Sequence, residues 1–454
     1  MATFTRGKVF GVVFVLILLY ILNKSIVMNM ENSTLRAKLL RFQFSCIIMS
    51  GMTLICCYLW RNLSTVLDST QDKVHSETES NEWRLFIDFK DIREWRSYTI
   101  NAAISRLLLA AVLISSLFSY SSFSFLIAIN PYKLAIWLFL ALAVTIQLFT
   151  AVVFLKIVNL ILRLGGRKKT RTFSKLSKIQ QISAFVYAML IVMFGYINAQ
   201  QPPTIKEVTI PVKGLPENLE RLSITFVSDI HLGPTNGMDR LKKIINMINY
   251  LNSDMVIIGG DLVDGRVDQL HDAAVPISWI NSKYGTYFVT GNHEYYTTDA
   301  ENWLVKLKSL GVIPLHNINV KISADKGQTG ICLAGVDDPT ADQYKFGDHT
   351  MDLDGALGSC DVESPVILVA HQPKAAQAAL QSKHRVDLVL SGHTHGGQFF
   401  PLIIPAYLMN PFYAGLYRHG DHSHVYVSQG TLFASIPIRF GTTMEITRIF
   451  LTQA

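Results

Sequence analysis

Cysteine is scarce in this chain, five in 454 residues, and no two are spaced as a CxxC pair. That excludes a thiolate zinc module. Cys46, Cys56 and Cys57 lie in one apolar run, which leaves only Cys332 and Cys360 in the C-terminal half. A bridge between those two requires an oxidising compartment, and free buried thiols are the expected state. Charge is also scarce, at 17% of residues, and it is unevenly placed. Residues 1–200 hold 22 Lys+Arg against 9 Asp+Glu, and residues 201–454 hold 19 against 25, so the net +7 describes neither half. A mildly acidic C-terminal half does not favour a nucleic-acid partner. Charges inside the long apolar runs are missing as well. Lys156 and Arg106 stand near run ends, where long side chains reach the interface, so an anchor is expected rather than a transporter.

What the first half does contain is apolar sequence. Five runs, at about 9–22, 42–60, 107–129, 134–155 and 182–199, approach the roughly 20 residues that a spanning helix needs. Residues 1–200 are therefore expected to form an all-α, multi-pass membrane region. With the N-terminus inside, the inner segments carry 16 Lys and Arg and the outer loops 5, and basic excess marks the cytosolic side. Five spans then put the C-terminal half outside the cytosol, in a lumen or the extracellular space. The sequons at Asn23 and Asn32 fall in the first outer loop and agree, whereas Asn62 falls inside and residues 201–454 have none. The stretch from Trp83 to Trp95 interleaves aromatics with charge, as an amphipathic surface helix or a solvated loop would.

Gln201-Pro-Pro203 breaks the last helix and opens a linker, 201–210, to a domain at 211–454 that is long enough for a sizeable core. Short β-rich runs alternate there with helical spacing. Strands are expected at 221–228, 254–258, 285–290, 365–370 and 386–390, and helices at 239–252 and 267–282. Such alternation means layered α/β packing, with chemistry gathered beyond the carboxyl ends of the strands.

Five fragments occupy those ends. They are Asp229-Ile-His231, Gly260-Asp261-Leu-Val-Asp264, Gly291-Asn292-His293-Glu294, His371, and Gly392-His393-Thr-His395-Gly-Gly-Gln398. Any one alone reads as a buried, satisfied histidine; five in order do not. Carboxylates, imidazoles and one amide suit hard-to-borderline divalent metals and are too many for a single tetrahedral site. Two ions sharing a carboxylate fit the count. At roughly 3.5–4 Å apart, such a pair holds a hydroxide between them and polarises a phosphoryl group.

The series resembles the calcineurin-like metallophosphoesterase superfamily, over about 205–454. Ala370-His371-Gln-Pro and Pro437-Ile-Arg-Phe-Gly resemble its membrane-associated phosphodiesterase branch. The resemblance implies an α/β sandwich of two mixed β-sheets flanked by helices. It implies one metal on Asp229, His231, Asp261 and His395 and a second on Asp261, Asn292, His371 and His393, with Asp261 bridging. His293 is implied beside the leaving group and Asp264 as the partner that orients it. Two divalent ions are expected, and Mn, Fe, Zn and Ni all accept this donor set. No ligand position departs from the pattern, which argues against a dead enzyme.

The expected activity is a membrane-anchored binuclear phosphoesterase. Its substrate is a phosphate ester, expected to be a phosphodiester or lipid-linked phosphate, cleaved by metal-activated hydroxide. The alternatives are a catalytically silent metal-dependent module that binds a phosphorylated partner, and a transporter or receptor with an accessory domain. If residues 1–200 only anchor, deleting them leaves catalysis intact. Residues 399–416, apolar and directly after the last fragment, either meet a lipid bilayer or acyl chain or pack into the core. His316, His349, His384, His419, His422 and His424 lack the strand-end glycine context, and 418–424 reads as a solvated turn.

Overall fold

The computed structural model describes residues 27–64, 100–164, 176–324 and 330–454. The first apolar run and the Trp83–Trp95 stretch lie outside the described residues. The chain forms two compact units. The first contains most of helices α1 (Ser33–Leu63), α2 (Ile100–Leu117), α3 (Lys133–Leu164) and α4 (Lys178–Gln200). Leu59, Leu109, Leu113, Leu148, Val152 and Ala188 form its buried cluster.

Among the described residues, three helical segments, Lys38–Leu63, Lys133–Leu162 and Lys178–Gln200, are long and apolar enough to cross a membrane. The run expected at 107–129 is not one straight helix. Ala103–Leu117 and Ser119–Phe125 meet at 42°, and the chain leaves helical geometry after Phe125. Serines crowd this bend, and their hydroxyls compete for backbone carbonyls: Ser116 Oγ donates to Leu113 O at 2.7 Å.

The second unit is built on two six-stranded sheets. Its strands are β1 (Thr204–Val212), β2 (Ser223–Val227), β3 (Met255–Ile258), β4 (Thr286–Phe288), β5 (Val312–Pro314), β6 (Ile318–Ile322), β7 (Ile331–Gly335), β8 (Val366–Val369), β9 (Leu388–Ser391), β10 (Gly415–His419), β11 (Ser423–Val427) and β12 (Glu445–Gln453). The sheet orders are β1-β12-β2-β3-β4-β5 and β10-β11-β9-β8-β7-β6. Antiparallel pairs occur at β12–β2, β10–β11 and β6–β7, and the other pairs are parallel, so both sheets are mixed. Ile224, Phe226 and Ile257 of one sheet share a buried layer with Leu333, Ile367, Leu388 and Leu390 of the other. At about 25 cal/mol per Å² of apolar surface, that layer is the main reason the sheets stay together. Helix α5 (Met238–Leu251) covers the first sheet with Leu241, Ile244, Ile245, Ile248 and Leu251, the residues that share one face at a 3.6 period. This is the expected sandwich of two mixed sheets flanked by helices.

Two expectations are corrected. The helix read at 267–282 is only Val267–Leu270 followed by a 3₁₀ segment, Val275–Trp279, because Pro276 cannot donate to an α-helical ladder. Cys332 and Cys360 are not free thiols: they form a disulfide with Cα atoms 5.7 Å apart. The short helix Leu353–Leu357 lies against β6 and β7 and carries Cys360 back to Cys332 in β7.

Parts of the apolar N-terminal half belong to this second unit, namely Asn32–Lys38, Ser119–Leu140 and, from Ile191 onward, the end of α4. Ile129 O accepts from Met238 N at 2.8 Å and Asn130 Oδ1 from Asp239 N at 3.0 Å. These bonds satisfy two of the orphan N–H groups at the start of α5. Gly237 permits the approach, since a Cβ there would stand 2.6 Å from Ile129 O.

Candidate metal centre

The sharp turns after β2, β3, β4, β8 and β9 bring the five fragments together. Asp229, His231, Asp261, His393 and His395 all take left-handed backbone, with φ of +58°, +52°, +51°, +70° and +51°. Each such residue costs about 1–3 kcal/mol and persists only where its surroundings fix it. Glycine neighbours make the room: a Cβ on Gly291 would collide with Asp261 Oδ1, and one on Gly392 with Asp229 Oδ2.

The side chains converge in two groups around one carboxylate. In the first, His395 Nε2 lies 3.2 Å from Asp229 Oδ1 and 3.0 Å from His231 Nε2, which is 3.8 Å from Asp261 Oδ2. In the second, His371 Nε2 lies 3.2 Å from the same Asp261 Oδ2, and the His371 and His393 rings are 5.3 Å apart. His371 Nδ1 donates to Gly259 O at 2.7 Å, which turns Nε2 toward Asp261. Asn292 Oδ1 is buried without a hydrogen-bond partner, an arrangement that costs on the order of 1–3 kcal/mol unless a cation supplies one. Asp229, His231 and His395, and likewise Asp261, His371 and His393, can each hold a metal ion. The donor set fits divalent ions, and the unpartnered amide oxygen is the observation that favours one in the second group.

Burial holds His393 and His395 down at about 4, so both are neutral imidazoles, the form that takes a metal. Burial alone would raise Asp261, but the charges of His371 and His293 outweigh it and hold it well below the usual carboxylate range. His293 stands on Asp264. Its Nδ1 donates to Asp264 Oδ1 at 2.5 Å, and His231 Nδ1 donates to the same oxygen at 2.9 Å. Burial opposes a charge on His293, yet Asp261 and Asp264 push it up to about 9. Its Nε2 lies 3.9 Å from Asp261 Oδ2. A protonated imidazole beside a shared carboxylate is placed to donate to a departing oxygen.

The sequence pattern of calcineurin-like phosphoesterases matches residues 222–397. A Danio rerio protein named "Transmembrane protein with metallophosphoesterase domain" is 38% identical over 454 residues, covering 99% of this chain and 97% of that protein. The chain belongs to the calcineurin-like metallophosphoesterases. The Bos taurus protein of the same name is 37% identical, covering 92% of this chain and 90% of its own length. A solved dimetal phosphatase from Danio rerio aligns with 46% of this chain and 88% of that one, at 13% identity and a TM-score of 0.32. The chain is thus a metal-dependent phosphoesterase, and its kinship with the two named proteins extends through the apolar half.

The phosphoesterase centre also draws on residues to which the sequence assigned no role. Glu294 Oε1 accepts from Leu262 N at 2.8 Å and Val263 N at 3.2 Å; Oε2 accepts from Gly291 N at 2.6 Å and Asp261 N at 3.1 Å. It ties the Asp261 turn to the His293 turn, and its place at the end of Gly291-Asn-His-Glu294 was the available signal. Arg439 is fully buried, and its Nη1 donates to His395 O at 2.6 Å. Arg439 N in turn donates to Gly195 O of α4 at 2.8 Å. Nothing local in Pro437-Ile-Arg-Phe-Gly foretells that contact. His316 and His349 are not isolated either. Asp337 accepts from His316 Nδ1 at 2.8 Å, and His349 lies between Asp337 at 3.3 Å and Glu301 at 3.1 Å.

Proposed function

We propose that the centre binds two divalent ions and hydrolyses a phosphodiester or a lipid-linked phosphate. Asp229, His231, Asp261 and His395 would hold one ion. Asp261, Asn292, His371 and His393 would hold the other. Mn, Fe, Zn and Ni all suit these donors. When bound, the pair supplies Lewis acidity and lowers the pKa of an attacking water. The protein's own groups do the rest. Asp264 accepts from Nδ1 of both His231 and His293. This leaves the His231 Nε2 lone pair to face an ion and aims the Nε2–H of protonated His293 at the leaving oxygen, to which it donates its proton. The observation that carries this reading is Asp261 Oδ2, which faces both groups and His293 at once.

Three apolar helices long enough to cross a bilayer support membrane anchoring, as do the names of the relatives. The basic bias of the inner segments supports a lumenal or extracellular catalytic domain, and so does the Cys332–Cys360 bridge.

The test is turnover by the full chain in detergent, stripped of metal and reloaded with each candidate ion. Bis-p-nitrophenyl phosphate and p-nitrophenyl phosphate are compared, with Asp261→Ala and His293→Ala alongside. Metal-dependent hydrolysis that falls about 10²–10⁴-fold in His293→Ala is the expected result. Two ions bound per chain with no turnover of either ester would instead leave a metal-dependent module that binds a phosphorylated partner.

A further inference from the structure

The segment that follows the His393–His395 turn carries no charged residue from Phe399 to Tyr417. It splits into two parts. Phe399 is fully buried and bridges to Phe440, so it belongs to the core. The helix after it, α9 when α6 (Asn292–Tyr296), α7 (Ala300–Ser309) and α8 (Pro373–Leu380) are counted, runs Ile403–Met409 and has no buried residue at all. Tyr407, Leu408 and Met409 are 64%, 73% and 65% exposed, and Phe400 and Ile404 are exposed beside them. Scattered apolar side chains on a surface need no explanation, but a contiguous group does.

Two further observations say what covers it. The first is its bond to the site. A Cβ on Gly397 would collide with the backbone of Ile403. Tyr413 Oη donates to Gly396 O at 2.5 Å, and Thr394 Oγ1 donates to Tyr413 O at 2.7 Å. The apolar segment is therefore clamped to the turn that carries His393 and His395. The second is continuity with α4, a helix apolar enough to cross a bilayer. Arg439 is bonded to Gly195 of α4, and two residues on, Gly441 lies against Ile403. Phe194 and Ile197, beside Gly195, are exposed apolar residues too. The end of α4 and the start of α9 are thus joined through one five-residue strip, 437–441.

We propose that Phe400–Met409 seats in the headgroup–acyl boundary of the bilayer that α4 enters. The metal centre then opens onto that surface and takes its phosphate ester from a lipid. The docking rests on the apolar surface and α4; the substrate class rests on the phosphoesterase reading. Interfacial helices bury their apolar faces roughly 5–10 Å into that boundary. At that depth the diester of a lipid is presented at the level of the centre, without leaving its bilayer.

The experiment uses the full chain in phosphatidylcholine proteoliposomes. In a Cys46→Ser, Cys56→Ser, Cys57→Ser background, Leu408→Cys carries a nitrobenzoxadiazole label and the bilayer carries doxyl-labelled phosphatidylcholine. Tyr250→Cys, near the far end of α5 from Asn130, serves as the water-facing control. Quenching at position 408 at least twofold stronger than at 250 is expected, and equal quenching overturns the docking. The double variant Leu408→Ser, Met409→Ser is then assayed on a fluorescent phosphatidylcholine and on bis-p-nitrophenyl phosphate. The ratio of lipid to soluble turnover is expected to fall at least tenfold, and an unchanged ratio overturns the lipid substrate. If the wild-type chain hydrolyses neither ester, the phosphoesterase reading and the lipid substrate fall together, and quenching alone still decides the docking.

Discussion

Asp264→Asn is the substitution that most directly separates positioning from metal binding. One oxygen of Asp264 receives His231 Nδ1 at 2.9 Å and His293 Nδ1 at 2.5 Å, and the side chain is buried. Asparagine keeps the shape and an accepting oxygen but removes the charge, so the fold is expected to survive. An opposite charge at this range shifts a pKa by about 1–3 units. Asp264 is one of three carboxylates, with Asp261 and Glu294, that hold His293 up at about 9. Activity that needs a protonated His293 is lost as pH rises through its pKa. The descending limb of kcat in Asp264→Asn should therefore move to lower pH by about 1–3 units. His231, less firmly oriented, should bind its ion about 10–100-fold more weakly. The assay is kcat against pH at saturating metal, with metal affinity measured separately by equilibrium dialysis. Bound cations lower the absolute position of the limb in both proteins, but the difference between them remains. A kcat that falls equally at every pH, with the limb unmoved, refutes the assignment of His293 as the acid on Asp264.

Three other perturbations test different parts of the structure. Gly195→Leu puts a side chain where a Cβ already lies 3.1 Å from Ile438 Cβ. It should cost about 1–3 kcal/mol by overpacking and, by displacing Arg439 from His395, weaken one of the two metal sites in a dialysis assay while sparing the other. Cys360→Ser opens a bridge between residues 28 apart, which should cost about 2–4 kcal/mol, read as a lower Tm that reducing agent does not lower further. His349 is buried, which opposes its charge, but its bonds to Asp337 and Glu301 outweigh burial and raise its pKa. Its contribution is present below its ordinary value and lost as pH rises through the raised one. The Tm gap between wild type and His349→Gln should therefore be widest below the ordinary histidine range and shrink as pH rises above it; a gap that does not narrow with pH counts against a charged His349.

The strand-end fragments were legible in the sequence because their constraint is local. Buried β-rich runs ending in Asp, His and Gly declare a turn, a donor and the space for both within a few residues. The fold class followed from the same alternation. What stayed illegible depends on contacts between distant residues. Arg439 meets His395 across 44 positions, and its neighbours carry no sign of it. The helix expected at 267–282 had apolar spacing in its favour, and Pro276 decided against it. Apolar residues 399–416 could not be divided into core and surface until β-pairing buried Phe399 and left Leu408 out. Cys332 and Cys360 have no spacing signature, since what joins them is the return of the Leu353–Leu357 helix to β7.

An anchor that merely tethers would be dispensable for catalysis, and the packing argues otherwise here. The start of α5 takes two backbone N–H partners from Ile129 and Asn130, and Ile127 packs into the same core as Leu270 beside Asp264. At the other end, Gly195 O holds the backbone of the arginine that holds His395. Deleting residues 1–200 removes both supports at once, each next to a fragment of the metal centre. It leaves orphan donors at a helix start and an unpaired backbone N–H on the arginine that braces His395. Residues 119–140 and 191–200 of the apolar half are therefore part of the scaffold that keeps five left-handed residues in place, and the catalytic unit of this chain extends into those apolar segments.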